Sequence, residues 1–159
     1  MTIAIGFARP ADAAEVGALF RAIVAPLELY SEAARAEQLA RLTPGAFARH
    51  AAADARSVII ARSEGRAAGF ALIEDQAGPI WIDWYGVSAE ARGQGVGEAI
   101  LRFIIDDARS RHATRVWCDT RTENTPSNAL LTRLGFRQLC RLDKHWHGQD
   151  YFLWDLSPL

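Results

Sequence analysis

Ala91-Arg92-Gly93-Gln94-Gly95-Val96-Gly97 is the stretch around which the chain is organised. Its glycines lie between an apolar run that ends at Val87 and the helix of Ile100. Glycine lets a strand-to-helix loop turn its backbone N–H groups toward one spot, and the exposed N-terminus of the following helix carries about half a positive charge. A phosphate or pyrophosphate suits such a place. The loop lacks the Gly-Lys-Ser/Thr close of a P-loop, and Glu98 or Ile100 stands where a dinucleotide-binding Gly-x-Gly-x-x-Gly would have its third glycine. A tight turn alone would also use these glycines. The flanking sequence has to decide.

Working outward, Gln94 to Arg111 places Val96, Ile100, Phe103, Ile104 and Ala108 on one face, which predicts the longest amphipathic helix. Ile80 to Val87 before it reads as a strand, and Thr114 to Thr120 after it as another. A strand, helix and strand in that order call for a parallel crossover with the helix on one sheet face. Further upstream, Ser57 to Arg62 and Ala67 to Glu74 flank Ser63-Glu64-Gly65-Arg66, a hairpin signature. The N-terminal part supplies a strand at Ile3 to Ala8 and a helix carrying Val16, Leu19, Phe20, Ile23 and Val24. From Ser31 to His50 it is helical, with a restart at Thr43-Pro44. Downstream, Pro126 to Leu134 is a helix ended by Gly135, and two strands broken near His147-Gly148 complete the chain. The order is that of a mixed α/β (α+β) domain.

A chain of 159 residues, half of them apolar, makes one domain and excludes wholesale disorder. Eighteen basic against nineteen acidic residues give a net charge of -1, so no global field draws the protein to nucleic acid or an anionic membrane. An anion must be caught locally. Cys118 and Cys140 lie in apolar runs without metal-ligand spacing, which predicts buried free thiols in a reducing compartment and no metal site. His145 and His147 flank Trp146 without an evident third ligand. The N-terminus lacks the pattern of a secretory signal and no apolar run is long enough for a membrane helix, so a cytoplasmic location is expected.

Arg92-x-x-Gly95-x-Gly97 resembles the Arg/Gln-x-x-Gly-x-Gly/Ala signature of the GNAT superfamily of N-acetyltransferases. Asn124, followed by Ser127, Ala129, Leu130 and Leu134-Gly135-Phe136, resembles that family's second mark, and the order of elements matches from Ile3 to Leu156. The resemblance implies a single domain over residues 1–159: a twisted, mixed, mostly antiparallel sheet of six or seven strands with a central splay, flanked by about four helices. It implies acetyl-CoA as cosubstrate, with its pyrophosphate on the loop Arg92, Gly93, Gln94, Gly95, Val96, Gly97 and Glu98. Pantetheine would lie along Tyr85-Gly86-Val87, near Asn124 and Ser127, with the Val87 N–H as oxyanion donor. The other substrate would be a small-molecule or peptide amine, and a homodimer is compatible with the family.

A neutral amine is needed for attack, and an alkyl ammonium titrates near ~10, so a proton acceptor must lie close by. Asp119 stands where the bacterial ribosomal-protein N-terminal alanine acetyltransferases carry their catalytic glutamate, although a pairing with Arg121 would also account for it. Asp83, between Trp81 and Trp84-Tyr85, is the second candidate, and strand alternation predicts that it shares a face with Tyr85. The family's proton-donating tyrosine falls at Leu131 here, which leaves Tyr85, Tyr151 and Tyr30 as substitutes. The family resemblance puts His145 and Tyr151 of the tail over the acceptor, and brings Glu28, Tyr30 and Glu32 to close its other side, where the carboxylates would attract a cation or simply be solvated. Most of the tryptophans are expected in the core, with one or two lining the acceptor site. Two further functions stay open: a non-catalytic acyl-CoA binding or sensing module, which the missing tyrosine permits, and a nucleotide-binding domain.

Overall fold

Alternation along β2 (Val58–Ser63) and β3 (Arg66–Asp75) divides the core in two. Ile59, Ala61, Ala71 and Ile73 face one side of the sheet, and Val58, Ile60, Phe70 and Leu72 the other. Both faces are apolar, so each needs a helical layer. The first is covered by α4 (Val96–Ser110) through Val96, Ile100, Leu101, Ile104, Ile105 and Ala108. The second is covered by α1 (Ala13–Val24) and α3 (Pro44–Ala53) through Val16, Phe20, Ile23, Val24 and Phe47, with α2 (Glu32–Arg41) between them in sequence. Phe20 meets Phe47, Phe70 and Trp84 edge-on, each at 5.6 Å between centroids. Truncating so central a ring costs about 3–5 kcal/mol in a typical core.

The computed structural model describes residues 2–159. With β1 (Ile3–Phe7), β4 (Pro79–Val87), β5 (Arg115–Arg121), β6 (Arg137–Trp146) and β7 (Gln149–Leu156), the sheet has seven strands in the order β1-β2-β3-β4-β5-β7-β6. The β4–β5 pair is parallel, joined by the α4 crossover, and the other pairs are antiparallel. A fifth helix, α5 (Thr125–Arg133), follows β5. The described residues form five α-helices, and the restart expected at Thr43-Pro44 is α3, which Thr43 caps by accepting from the Ala46 N–H. The hairpin at Glu64-Gly65 and the break at His147-Gly148 are both tight turns with two positive φ angles. Cys118 is buried as expected, but Cys140 is exposed, since β6 is the outermost strand at that edge. Of the tryptophans only Trp154 is buried; Trp81, Trp84, Trp117 and Trp146 are partly exposed, so the expectation of a mainly core role is corrected.

Gly69 fixes the height of α4 above the sheet. A Cβ there would stand 2.7 Å from Ile100 Cδ1, 2.9 Å from Val96 Cγ1 and 3.0 Å from the Gly86 carbonyl oxygen. Only a residue without a side chain lets the first turn of α4 lie this close to β3 and β4.

Candidate active site

β4 and β5 pair only at Pro79–Arg115, Ile80–Val116 and Trp81–Trp117. Beyond the edge-on Trp81 and Trp117 rings the strands part, leaving Ile82–Val87 opposite Cys118–Arg121 with no ladder between them. A bulge accompanies the split: Leu72 pairs with Trp84 and Ile73 with Ile82, so Asp83 is an extra residue in β4. Bulges bend a strand and sharpen its twist. The bulge also breaks the alternation. Asp83 turns to the α2 side, where Arg41 Nη2 donates to it at 2.9 Å, while the Tyr85 hydroxyl reaches the Ser127 hydroxyl on α5. The expectation that Asp83 and Tyr85 share a face is therefore corrected.

The split opens into a cavity of roughly 1100 Å³ with two chemically different ends. At one end lie Arg92, Gly93, Gly95, Val96, Gly97 and Glu98. Gly95 adopts φ +83° and an added Cβ would meet nothing within 4 Å, so the concavity above it is open. The first bond into α4 runs from the Ala99 N–H to the Gly95 carbonyl. Among the described residues, no backbone acceptor takes the N–H groups of Gly93, Gly95, Val96, Gly97 or Glu98. The Gln94 side chain turns away and donates to the Glu90 carbonyl at 2.7 Å, so Gln94 does not line the cavity. Hydrogen bonds from Arg133 and Arg102 hold the Glu98 carboxyl below its ordinary range. Arg133, on α5, thereby joins the cavity wall, a residue that nothing in the sequence separates from any solvated helix arginine.

Along the slot, the Ser88 N–H donates to the Ala68 carbonyl on β3 at 2.8 Å. Strand alternation then turns the Val87 N–H the other way, toward the splayed side. Asn124 caps α5 by accepting from the Ser127 N–H at 3.3 Å, and both residues line the cavity. Leu131 is on the fully buried face of α5 and does not line the slot. Burial, the largest influence, pushes the Tyr85 phenol above its ordinary range, so it stays protonated.

Side chains build the other end. Asp119 Oδ2 lies 3.2 Å from His145 Nε2, and not against Arg121. Arg121 instead donates to the carbonyls of Leu29 and Asp150 and to Glu123. Burial raises the Asp119 carboxyl above its ordinary value; His145 pulls the other way and Asp83 adds to the rise. Tyr30, pushed up to about 12 chiefly by burial and then by Asp119, packs on Trp84 at 5.5 Å and Trp146 at 6.3 Å. The Tyr151 hydroxyl is buried without a hydrogen-bond partner, and burial together with Tyr30 and Asp119 raises its phenol. The start of α2 is tied to the β6–β7 hairpin by Gln149, which accepts from the Ser31 N–H, and α2 itself by Glu37 against His147 at 2.6 Å.

The structure thus brings Asp119, Asp83, Tyr30, His145 and Tyr151 to one end of the cavity and most of the glycine loop to the other. Glu28 and Glu32 are exposed and do not line it; Glu32 occupies the first turn of α2, pointing to solvent. Gln38, Arg41, Trp84 and Trp146 do line it. Gln38 and Arg41 fall on a helix where spacing alone marks a solvated or half-buried polar face.

Residues 23–136 match the model of the Acetyltransferase (GNAT) family. Among curated proteins, the chain is 32% identical over 93 residues to streptothricin acetyltransferase of Streptomyces lavendulae, a match covering 57% of this chain and 49% of that protein. It is 28% identical over 74 residues to the [ribosomal protein bS18]-alanine N-acetyltransferase of Escherichia coli K12, covering 46% and 50%. The chain thus spans about half the length of the curated relatives it matches. Its fold is similar to that of a GNAT-family acetyltransferase from Streptococcus pneumoniae, with TM-score 0.81, 19% identity and 98% of both chains covered. The yncA protein of Salmonella typhimurium, solved with its cofactor acetyl-CoA, superimposes with TM-score 0.74 at 19% identity over 98% of this chain and 94% of that one. With the splayed sheet, the glycine loop and a family match over most of its length, the chain belongs to the acetyltransferase (GNAT) family.

Proposed function

We propose that the protein transfers an acetyl group from acetyl-CoA to a primary amine, both substrates being held together in the cavity. The observation that carries this reading is the joining of two unlike ends by one open slot: free backbone amides at Gly93 and Gly95–Glu98 and a mostly covered carboxylate at Asp119. The residues present fit the coenzyme. Converging amides and a helix N-terminus suit its pyrophosphate, and an unpaired strand edge suits the amide-bearing pantetheine arm. The solved yncA complex supports the same occupant. Acetyl-CoA, when bound, supplies an activated thioester carbonyl.

The chain's own groups then have separable tasks. The amides of Gly93 and of Gly95 to Glu98 hold the pyrophosphate, aided by Arg92 and Arg133 at the cavity rim. Asn124 and Ser127 sit beside the arm. The Val87 N–H donates to the carbonyl oxygen as negative charge develops there, a fixed donor acting better than reorganising water. Asp119, made more basic by burial, removes a proton from the ammonium so that the nitrogen lone pair is free to attack. Tyr151, with its unpartnered hydroxyl, contacts the amine, and Asp83 with Arg41 forms the rim beyond it. The protonated Tyr85 hydroxyl, paired with Ser127 in the slot wall, donates a hydrogen bond toward the departing sulfur. A thiolate leaves tolerably near neutral pH, so a leucine at position 131 does not forbid the reaction.

The relatives that act on streptothricin and on a ribosomal protein's alanine make both a small molecule and a peptide N-terminus fitting acceptors. The test is free-thiol release from acetyl-CoA in the presence of a panel of small amines and N-terminal peptides, with mass detection of the acetylated product. Turnover with at least one class is expected. Leu131, buried where a proton-donating tyrosine would stand, favours a second reading, a CoA-binding sensor. Tight CoA binding with no thiol release on any amine would establish that reading and overturn transfer, and preference for ATP or NAD would overturn both.

A further inference from the structure

Acetyl transfer to an ammonium leaves one proton over. The nitrogen loses its first proton to become nucleophilic; it loses a second as the C–N bond forms and the C–S bond breaks, and that second proton goes to the sulfur. The products are an amide, a free thiol and one H⁺, which has to pass from the covered base to solvent. Asp119 receives that first proton but is itself mostly covered, its side chain 24% exposed.

We propose that His145 is the outer half of a proton relay, taking from Asp119 the proton given up by the acceptor and releasing it to solvent. The proposal rests on the acetyl-transfer reading above. His145 Nε2 lies 3.2 Å from Asp119 Oδ2, while 43% of its side chain is open to water. It is in contact with both compartments. Its ring is held edge-on against Tyr151 at 5.5 Å. The backbone aims it there: β6 loses register with β7 between Leu142 and Trp146, and Lys144 takes φ +49° with its N–H on the Asp150 carboxylate at 2.8 Å. That irregularity costs conformational energy, and its result is an imidazole pointed at a carboxylate. Imidazole as a class exchanges protons near neutral pH.

The other groups facing this pair are poorer carriers. Asp83, on β4, is engaged by Arg41 of α2. Arg121, on β5, has its donors committed to Leu29, Asp150 and Glu123. Tyr30, before α2, and Tyr151, on β7, are both raised by burial and stay protonated. Asp143 of β6 is held by Arg141, and the Lys144 side chain is exposed, its Asp150 bond being made by the backbone N–H.

The test uses His145→Gln, which retains a donor for Asp119, and His145→Ala, which leaves room for exogenous imidazole. Both are compared with wild type in weak buffer after CoA binding and thermal melting are matched. The expected result is a fall in kcat of about tenfold or more for both variants, with KM for acetyl-CoA unchanged. Imidazole should restore His145→Ala in a saturable manner, and a series of substituted imidazoles should rescue in order of their basicity. His145→Gln at the wild-type rate overturns the relay, and so does a folded, CoA-binding His145→Ala that imidazole leaves slow. A wild-type chain inert toward every amine overturns the transfer reading first, so the two failures are distinguishable.

Discussion

The two ends of the cavity are made of different material. At Gly93 and Gly95 to Glu98 the groups free to meet a ligand are main-chain amides, placed by φ angles and by the start of α4. At Asp119, His145, Tyr30 and Tyr151 they are side chains gathered from β5, β6, the α1–α2 segment and β7. A backbone site depends on a few positions that must be glycine and tolerates change elsewhere. A side-chain site depends on which residues the sheet brings together, and its chemistry changes with the identity of each. That asymmetry is what one expects of a scaffold that keeps its acyl donor and varies its acceptor.

The sharpest way to break the comparison is Gly95→Glu. The new side chain would be placed at φ +83° and would carry a negative charge into the concavity proposed for the pyrophosphate. Loss of acetyl-CoA binding by more than about 100-fold in calorimetry is expected, with the amine end untouched. Wild-type coenzyme affinity in the folded variant would show that the amides are not the anion site.

The same asymmetry explains what could be read in advance. Gly93, Gly95 and Gly97 follow a strand and open a helix, so their local sequence already contains the geometry. The hairpin at Glu64-Gly65 and the crossover from β4 to β5 are local in the same sense. Asp119 and His145 are 26 residues apart and meet only because β7 lies between β5 and β6 and the β6 irregularity turns one ring inward. No period of two reveals that. The bulge at Asp83 is subtler: period-two alternation places Trp81, Asp83 and Tyr85 together, and one unpaired residue separates them. Arg41 and Arg133 sit on helices whose arginines look alike in sequence, and only the cavity distinguishes them.

At the side-chain end, Asp119→Asn should lower kcat by roughly 10²-fold while coenzyme binding, measured by calorimetry, stays within about twofold. The pH profile adds the sign. Wild-type activity should fall as the medium is acidified through the raised value of Asp119, because the base becomes protonated. The Asn variant should lose that limb and retain only the dependence due to the free amine. Unchanged kcat and an unchanged acid limb would remove Asp119 from the chemistry and leave it as a structural partner of His145.

The smallest effect separates chemistry from stability at the same residue. The folded-state pKa of Asp119 is raised, first by burial and then against the pull of His145. A carboxyl raised in the folded state favours folding fully below its unfolded value, and that contribution is lost as pH rises through the folded value. At neutral pH the wild type therefore bears the cost of an ionised, partly desolvated carboxylate, and Asp119→Asn does not. The variant should melt on the order of 2 °C higher near pH 7.5, the difference shrinking toward zero as the medium is acidified below the usual aspartate range. A variant that melts lower at pH 7.5 would mean that the Asp119–His145 contact outweighs desolvation. The carboxylate would then be retained for stability, as the coenzyme end retains its glycines for shape. A rise accompanied by loss of turnover would mark Asp119 as a residue kept for chemistry at a cost in stability.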